Sequence, residues 1–172
     1  MLRDAWTLAI ETLSWIELQR LGERLALSKT ARQLGIEDFK TIGLAHKLVC
    51  ETIRTKNLID YLLNSLLMPH SLSDFKLGLR AFLRLYTYEN QMAGHDSEKA
   101  VDMARIGRSI LGWHEFSEVE EMLGRILNVN LSGLLKGVSD EERIGLLTHN
   151  PLWFVKDSFK VFGRKEALEF LE

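Results

Sequence analysis

Along most of this chain the apolar residues recur three and four positions apart, the period of helices with one buried face. In the stretch 3–21, Trp6, Ile10, Leu13 and Leu21 follow that spacing and predict a first amphipathic helix, with Gly22 at its end. Residues 22–37 read as a loop carrying a short helix. Phe39, Ile42, Leu48, Val49 and Ile53 form the apolar set of a second helix over 38–55, and Lys56-Asn57 bends the chain into a third that Pro69 ends. Ser71 or Ser73 caps a fourth, which runs to about Gln91 with Leu79, Phe82, Leu83 and Tyr86 as its buried stripe. Asp96 or Ser97 opens a fifth, closed by Gly112. Ser117-Glu118-Val119-Glu120 has the capping-box pattern for a sixth, reaching Leu127.

Beyond residue 130 the pattern loosens at Gly133 and Gly137. Ser139-Asp-Glu-Glu142 starts a short helix up to Leu147. Asn150-Pro151 then starts a helix that Gly163 stops, and a last short helix runs to Glu172. The expectation is an all-α fold: a bundle of about six helices over 1–130, followed by a helical connector over 131–172, with the glycine-dotted stretch 130–148 as the boundary. Trp153, Phe154, Phe159, Phe162 and Phe170 give the last stretch a heavy apolar load. It reads as a connector shaped to dock a further domain that this chain does not contain, through Trp153, Phe154, Phe159 and Phe162.

Composition agrees with a globular helical chain: 172 residues, 46% hydrophobic, 27% charged and only two prolines. The net charge of −2 carries no overall basic excess, so any affinity for nucleic acid must rest on local patches. The single cysteine, Cys50, excludes an internal disulfide and reads as a small core residue. No signal sequence is visible, and no window reaches the roughly 18 apolar residues that span a bilayer, so a cytoplasmic protein is expected. His46, His70, His95, His114 and His149 lack metal-ligand spacing, and no glycine-rich loop follows a strand. The chain reads as non-catalytic, with no cofactor or metal of its own.

The candidate chemistry is therefore cationic. Lys76, Arg80 and Arg84 recur every four residues, a ridge on one helix. Arg80 and Arg84 lie beside the core stripe and either brace helices or meet phosphates; Lys76 is nearer the exposed start. Between residues 24 and 56, Arg24, Lys29, Arg32, Lys40, Lys47, Arg54 and Lys56 face only Glu37, Asp38 and Glu51, and Lys47 and Arg54 lie two turns apart on one helix face. This region reads as a phosphate-contacting patch or as ordinary solvated surface. Tyr86, Tyr88 and Trp113 are either core residues or platforms for stacked bases.

Two stretches carry a family resemblance. Leu79-Arg-Ala-Phe-Leu-Arg-Leu-Tyr-Thr-Tyr-Glu89 resembles the R-a-x-L-R-L-x-x-Y-E segment of NusB-like domains, with Arg80, Leu83, Arg84, Leu85, Tyr88 and Glu89 matching. Around it, Gly43…Val49…Ile53-Arg54…Leu58-Ile-Asp60, Ala100-Val-Asp-Met-Ala104 and Met122-Leu-Gly-Arg125 are similar to that family's other helices in the same order. Asn150-Pro-Leu-Trp-Phe-Val155, a helix, then Gly163-Arg-Lys-Glu-Ala-Leu168 is similar to the connector of NusB-fused RNA cytosine-5 methyltransferases of the Sun/NOL1/NOP2 family. The chain departs from the pattern at Glu98-Lys99, at Glu120, and in lacking a proline around Ala93-Gly94-His95.

The resemblance implies an RNA-binding accessory domain that docks ribosomal or transfer RNA for an S-adenosylmethionine-dependent methyltransferase domain, in cis or in trans. S-adenosylmethionine and the catalytic cysteine would belong to that domain: this sequence has no cofactor loop and no Pro-Cys or Thr-Cys motif. By resemblance, Arg3, Lys29, Arg32 and Lys47 are carried over as RNA contacts, joining Arg54, Lys76, Arg80 and Arg84. Neither a membrane nor DNA-specific binding is expected. Two other functions fit the chain: a free-standing NusB-like antitermination factor binding RNA with a ribosomal protein, and a protein-interaction scaffold.

Overall fold

In a computed structural model, which describes every residue except His95, the described residues form twelve α-helices and no strand. They are α1 (Leu2–Gln19), α2 (Glu23–Leu34), α3 (Phe39–Arg54), α4 (Lys56–Leu67), α5 (Leu77–Thr87), α6 (Ser97–Leu111), α7 (Trp113–Phe116), α8 (Glu120–Asn128), α9 (Leu131–Leu134), α10 (Asp140–Leu147), α11 (Leu152–Phe162) and α12 (Arg164–Leu171). The all-α expectation holds, with more helices than expected: eight rather than six precede residue 130. The placement of His95, the third residue of the proline-lacking stretch, lies outside the described residues.

The extra helices have local causes. Most of 22–37 is helical, as the three-turn α2 (Glu23–Leu34), because Ala26, Leu27, Thr30 and Ala31 bury a narrow stripe against α1 and α3. Its small residues give a weak apolar signal. The expected fourth helix is split. Leu72–Asp74 forms a 3-10 turn closed by a Ser71–Asp74 capping box, and Phe75 and Lys76 are extended before α5 begins. Beyond Thr87 the backbone widens into a π turn, Tyr88–Met92, with Ala93 N–H donating to Tyr88 O at 2.9 Å. The expected capping box at Ser117 does not form: α7 occupies 113–116, and α8 starts after Val119 with no side-chain cap. Asp38, Asp96 and Ser139 do cap α3, α6 and α10 by accepting backbone N–H groups.

The core centres on α5, which packs against α1, α3, α4 and α6. Phe82 is fully buried there, with ring centroids 5.9 Å from Trp6, 5.7 Å from Tyr86 and 5.2 Å from Phe116. Each such ring removed from water contributes about 1.5–3 kcal/mol. Gly107 of α6 makes this approach possible, since a Cβ there would stand 2.6 Å from Phe82 Cζ and 2.8 Å from Phe116 Cε2. A second, smaller cluster of Leu58, Leu135 and Leu146 seats the 131–147 segment on α4.

Candidate nucleic-acid interface and docking face

The eight candidate phosphate contacts fall into two groups. Arg84 is buried. Its Nε donates to Asp60 Oδ1 at 2.7 Å, its Nη2 to Asp60 Oδ2 at 3.1 Å, and its Nη1 to Glu17 Oε2 at 2.6 Å. Arg80 Nη1 takes the other Glu17 oxygen, Oε1, at 2.6 Å. The two arginines thus brace α5 to α1 and α4. Burial pulls the Arg84 guanidinium toward losing its charge, and the Asp60 and Glu17 carboxylates more than reverse that, so it stays charged. Lys76 pairs with Glu115 of α7 and Arg54 with Glu51 one turn back. With Lys56 on Asp60 at 3.6 Å, every cation from Arg54 to Arg84 is ion-paired.

The other group differs. Among the described residues, none of the six cations from Arg20 to Lys47 (Arg20, Arg24, Lys29, Arg32, Lys40 and Lys47) makes an ion pair, and all but Lys29 are exposed. Lys29 lies 4.1 Å from the Trp15 ring centroid and donates to Gln19 Oε1 at 3.4 Å. Asp38 is engaged as a cap, accepting from Thr41 N at 2.9 Å and Thr41 Oγ1 at 2.6 Å; those bonds hold its carboxyl below the usual range. Arg3 lies on the first turn of α1 and donates to Ser109 Oγ of α6 at 3.1 Å. Of the predicted contacts, the α2–α3 pair therefore carries Lys29, Arg32 and Lys47 as unneutralised charge, together with Arg24 and Lys40.

Between α2 and α3 runs an open groove of about 610 Å³, lined by Arg24, Leu27, Ser28, Ala31, Phe39, Ile42, Gly43 and His46. Phe39, expected in the apolar set of its helix, is instead 90% exposed at this groove. The stripe that α3 buries is Thr41, Ala45, Leu48, Val49 and Thr52, and Phe39 stands in the first turn, outside it. Its place directly after the Asp38 cap was the signal available. The two tyrosines considered as stacking platforms, Tyr86 and Tyr88, are core residues, whereas Trp113 is exposed with the Arg108 guanidinium 5.7 Å from its ring.

At the other end of the chain, α11 and α12 bury Val155, Ser158, Ala167 and Leu171 between themselves and α10. Their outer side keeps an aromatic row. Trp153 meets Phe154 edge-on at 5.6 Å, Phe154 lies 6.1 Å from Phe170, and Phe170 lies 5.6 Å from Phe162. Trp153, Phe162 and Phe170 are 65%, 48% and 60% exposed, and Val161 extends the apolar face. Phe159 stands apart from the row, half-buried beneath the Arg164 guanidinium. Phe170 joins a face whose predicted members were Trp153, Phe154, Phe159 and Phe162. Its partners lie on another helix, and spacing within one helix does not reveal them.

The pair is tied to the bundle at one corner. Asn57 Nδ2 donates to Gly145 O at 3.1 Å and to Asn150 O at 3.3 Å, and Asn150 N–H donates to Gly145 O at 2.8 Å. His149 takes a left-handed backbone, φ 60°, to make this turn. Desolvation, and then the Arg54 charge, push its imidazole below the ordinary range against a smaller opposing effect of Glu51. Cys50 is half-buried, and its thiol is pushed up by burial and by Glu23 and Glu51, which makes it a poor nucleophile. Among the described residues no group of three His, Cys, Asp or Glu side chains gathers to hold a metal, and no helix is long and apolar enough to cross a membrane. Comparison of the chain with protein families, curated proteins and solved structures finds no match.

Proposed function

We propose that this chain is an RNA-docking module: a NusB-like helical domain that holds structured ribosomal or transfer RNA for an RNA cytosine-5 methyltransferase domain acting in cis or in trans. The observation that carries this reading is the run of six cations from Arg20 to Lys47 without an ion pair, in a chain whose cations from Arg54 to Arg84 are all neutralised. Five of the six stand on the α2–α3 hairpin with no carboxylate partner, an arrangement that suits a polyanionic partner. Phosphate contacts of this kind set position rather than sequence, and a positioned target replaces a costly bimolecular encounter at the catalytic domain.

Two further observations support the parentage. Asp60 and Arg84, which match the family pattern in separate stretches of sequence, form one bidentate pair, so the pattern has a physical reason to recur as a unit. The row of Trp153, Phe154, Phe170 and Phe162 is the kind of exposed apolar face that marks a protein interface. It would receive the catalytic domain, which alone would bind S-adenosylmethionine. Filter-binding titrations with fragments of ribosomal and transfer RNA test the reading: salt-sensitive binding at low ionic strength is expected, and its absence counts against RNA docking. Capture of proteins that survives nuclease treatment, without RNA binding, would favour a protein-interaction scaffold, which the aromatic row also suits.

A further inference from the structure

We propose that the α2–α3 groove is a base-stacking site for single-stranded RNA, with Phe39 as the platform and Arg24, Arg32 and Lys47 holding the adjoining phosphates. The proposal rests on the RNA-docking reading and adds to it a strand type and a stacking residue. A phenyl ring 90% exposed on a helix that buries a different stripe contributes almost nothing to the core. Leaving it in water carries no benefit to the fold.

The groove beside it has the features that a nucleobase needs. Leu27, Ala31 and Ile42 supply apolar wall, and Gly43 adds no side chain, with open space where a Cβ would stand. Ser28 and His46 line it and make no side-chain hydrogen bond among the described residues, so both are available to a base edge. No carboxylate lines it, and Arg24 does. Arg32 and Lys47 each stand four positions, about one helical turn, beyond a lining residue, Ser28 and Gly43, and so share its side of the helix, and both are exposed. An apolar peptide would account for the walls, yet it leaves three unpaired cations at the rim without a partner. A nucleotide answers both features, a flat ring against a flat ring and a phosphate against the cations. Paired bases in a duplex cannot enter, which selects single strands, loops or bulges.

The test is a fluorescence-anisotropy titration with a labelled single-stranded oligoribonucleotide of mixed sequence, and with the same sequence as a duplex. The proteins are the full chain and its Phe39→Ala, Phe39→Tyr and Arg24→Gln variants, each checked for helical content by circular dichroism. Phe39→Ala is expected to weaken single-strand binding about tenfold with its salt dependence unchanged, and Phe39→Tyr to restore it. Duplex binding should not respond to Phe39→Ala. Arg24→Gln should reduce the salt slope by about one. Unchanged single-strand affinity in Phe39→Ala, with RNA still bound through Arg24, overturns the stacking site alone and leaves the groove to an apolar protein segment. Failure of the unaltered chain to bind either RNA overturns the RNA-docking reading and the site with it.

Discussion

Arg84 grips Asp60 with two parallel hydrogen bonds, at 2.7 Å and 3.1 Å, deep between α5 and α4. The same guanidinium reaches Glu17 of α1, which Arg80 shares. Two carboxylates and two guanidiniums thus join three helices at one point. Truncating Arg84 leaves Asp60 and half of Glu17 facing a partly desolvated space. Arg84→Ala should destabilise the fold by about 3–5 kcal/mol, read as a lowered urea midpoint. Arg84→Lys should recover little of that loss, because an ammonium cannot fork across Asp60 while also reaching Glu17. A loss under about 1 kcal/mol in Arg84→Ala would show that the pair is not a brace.

Gly107 is a packing residue. A methyl group there would press on Phe82 and Phe116, which are both fully buried and already in ring contact. Gly107→Ala should cost about 1–3 kcal/mol in stability, despite the better helix propensity of alanine. Gly124→Ala in α8 meets nothing and serves as the control, expected to be neutral or slightly stabilising. Equal midpoints for the two variants would contradict the packing assignment.

The corner at Asn57 should behave as a hinge point for the last three helices. Asn57→Ala removes the side-chain amide that donates to both the Gly145 and the Asn150 carbonyls. Amide hydrogen exchange should then accelerate across α10, α11 and α12, with α1 and α5 unaffected. Gly145→Ala should act alike, since its Cβ would stand 2.8 Å from Asn150 O. Uniform acceleration over the whole chain would mean that the terminal helices do not open separately.

His149 gives the stability a pH dependence of defined sign. Its folded-state value lies below the ordinary 6.5 because burial and Arg54 disfavour the charged ring. The unfolded chain therefore binds more protons between those two values. The stabilisation is complete above about pH 6.5 and is lost as the pH falls through the folded value. His149→Asn keeps a residue tolerant of the left-handed backbone and removes the titration. The variant should show a flatter thermal midpoint from about pH 7.5 to about pH 5.5 than the unaltered protein. Asp38 and Asp140, also depressed, lose their contribution only in the more acidic range below their usual 3.8, outside this window.

Much of the fold was legible because period and caps agree. Trp6, Ile10 and Leu13 do line the buried face of α1, and Asp96 and Ser139 cap the helices they were expected to open. What was not legible depends on contacts distant in sequence. The apolar face of α2 is built from Ala26, Thr30 and Ala31, too small to stand out until α1 and α3 cover it. The ridge of Lys76, Arg80 and Arg84 is real as helical spacing, but Glu115, Glu17 and Asp60, each 24 residues or more away, decide that it is neutralised. Likewise Phe39 fits the apolar spacing of α3, and apart from its place next to the Asp38 cap it is the packing that shows its ring left exposed at the groove while Thr41 of the same turn is buried.

RNA docking on α2 and α3 is tested by a salt titration of transfer RNA binding, for the unaltered chain and for the combined Arg24→Gln, Arg32→Gln, Lys40→Gln and Lys47→Gln variant. Affinity of the unaltered chain should fall steeply with salt. The variant's slope should be shallower by about three units, at roughly 0.7–0.9 per phosphate released, with an unchanged thermal midpoint. An identical slope for both proteins would contradict this docking, because the unpaired charge of α2 and α3 would then have no RNA to meet.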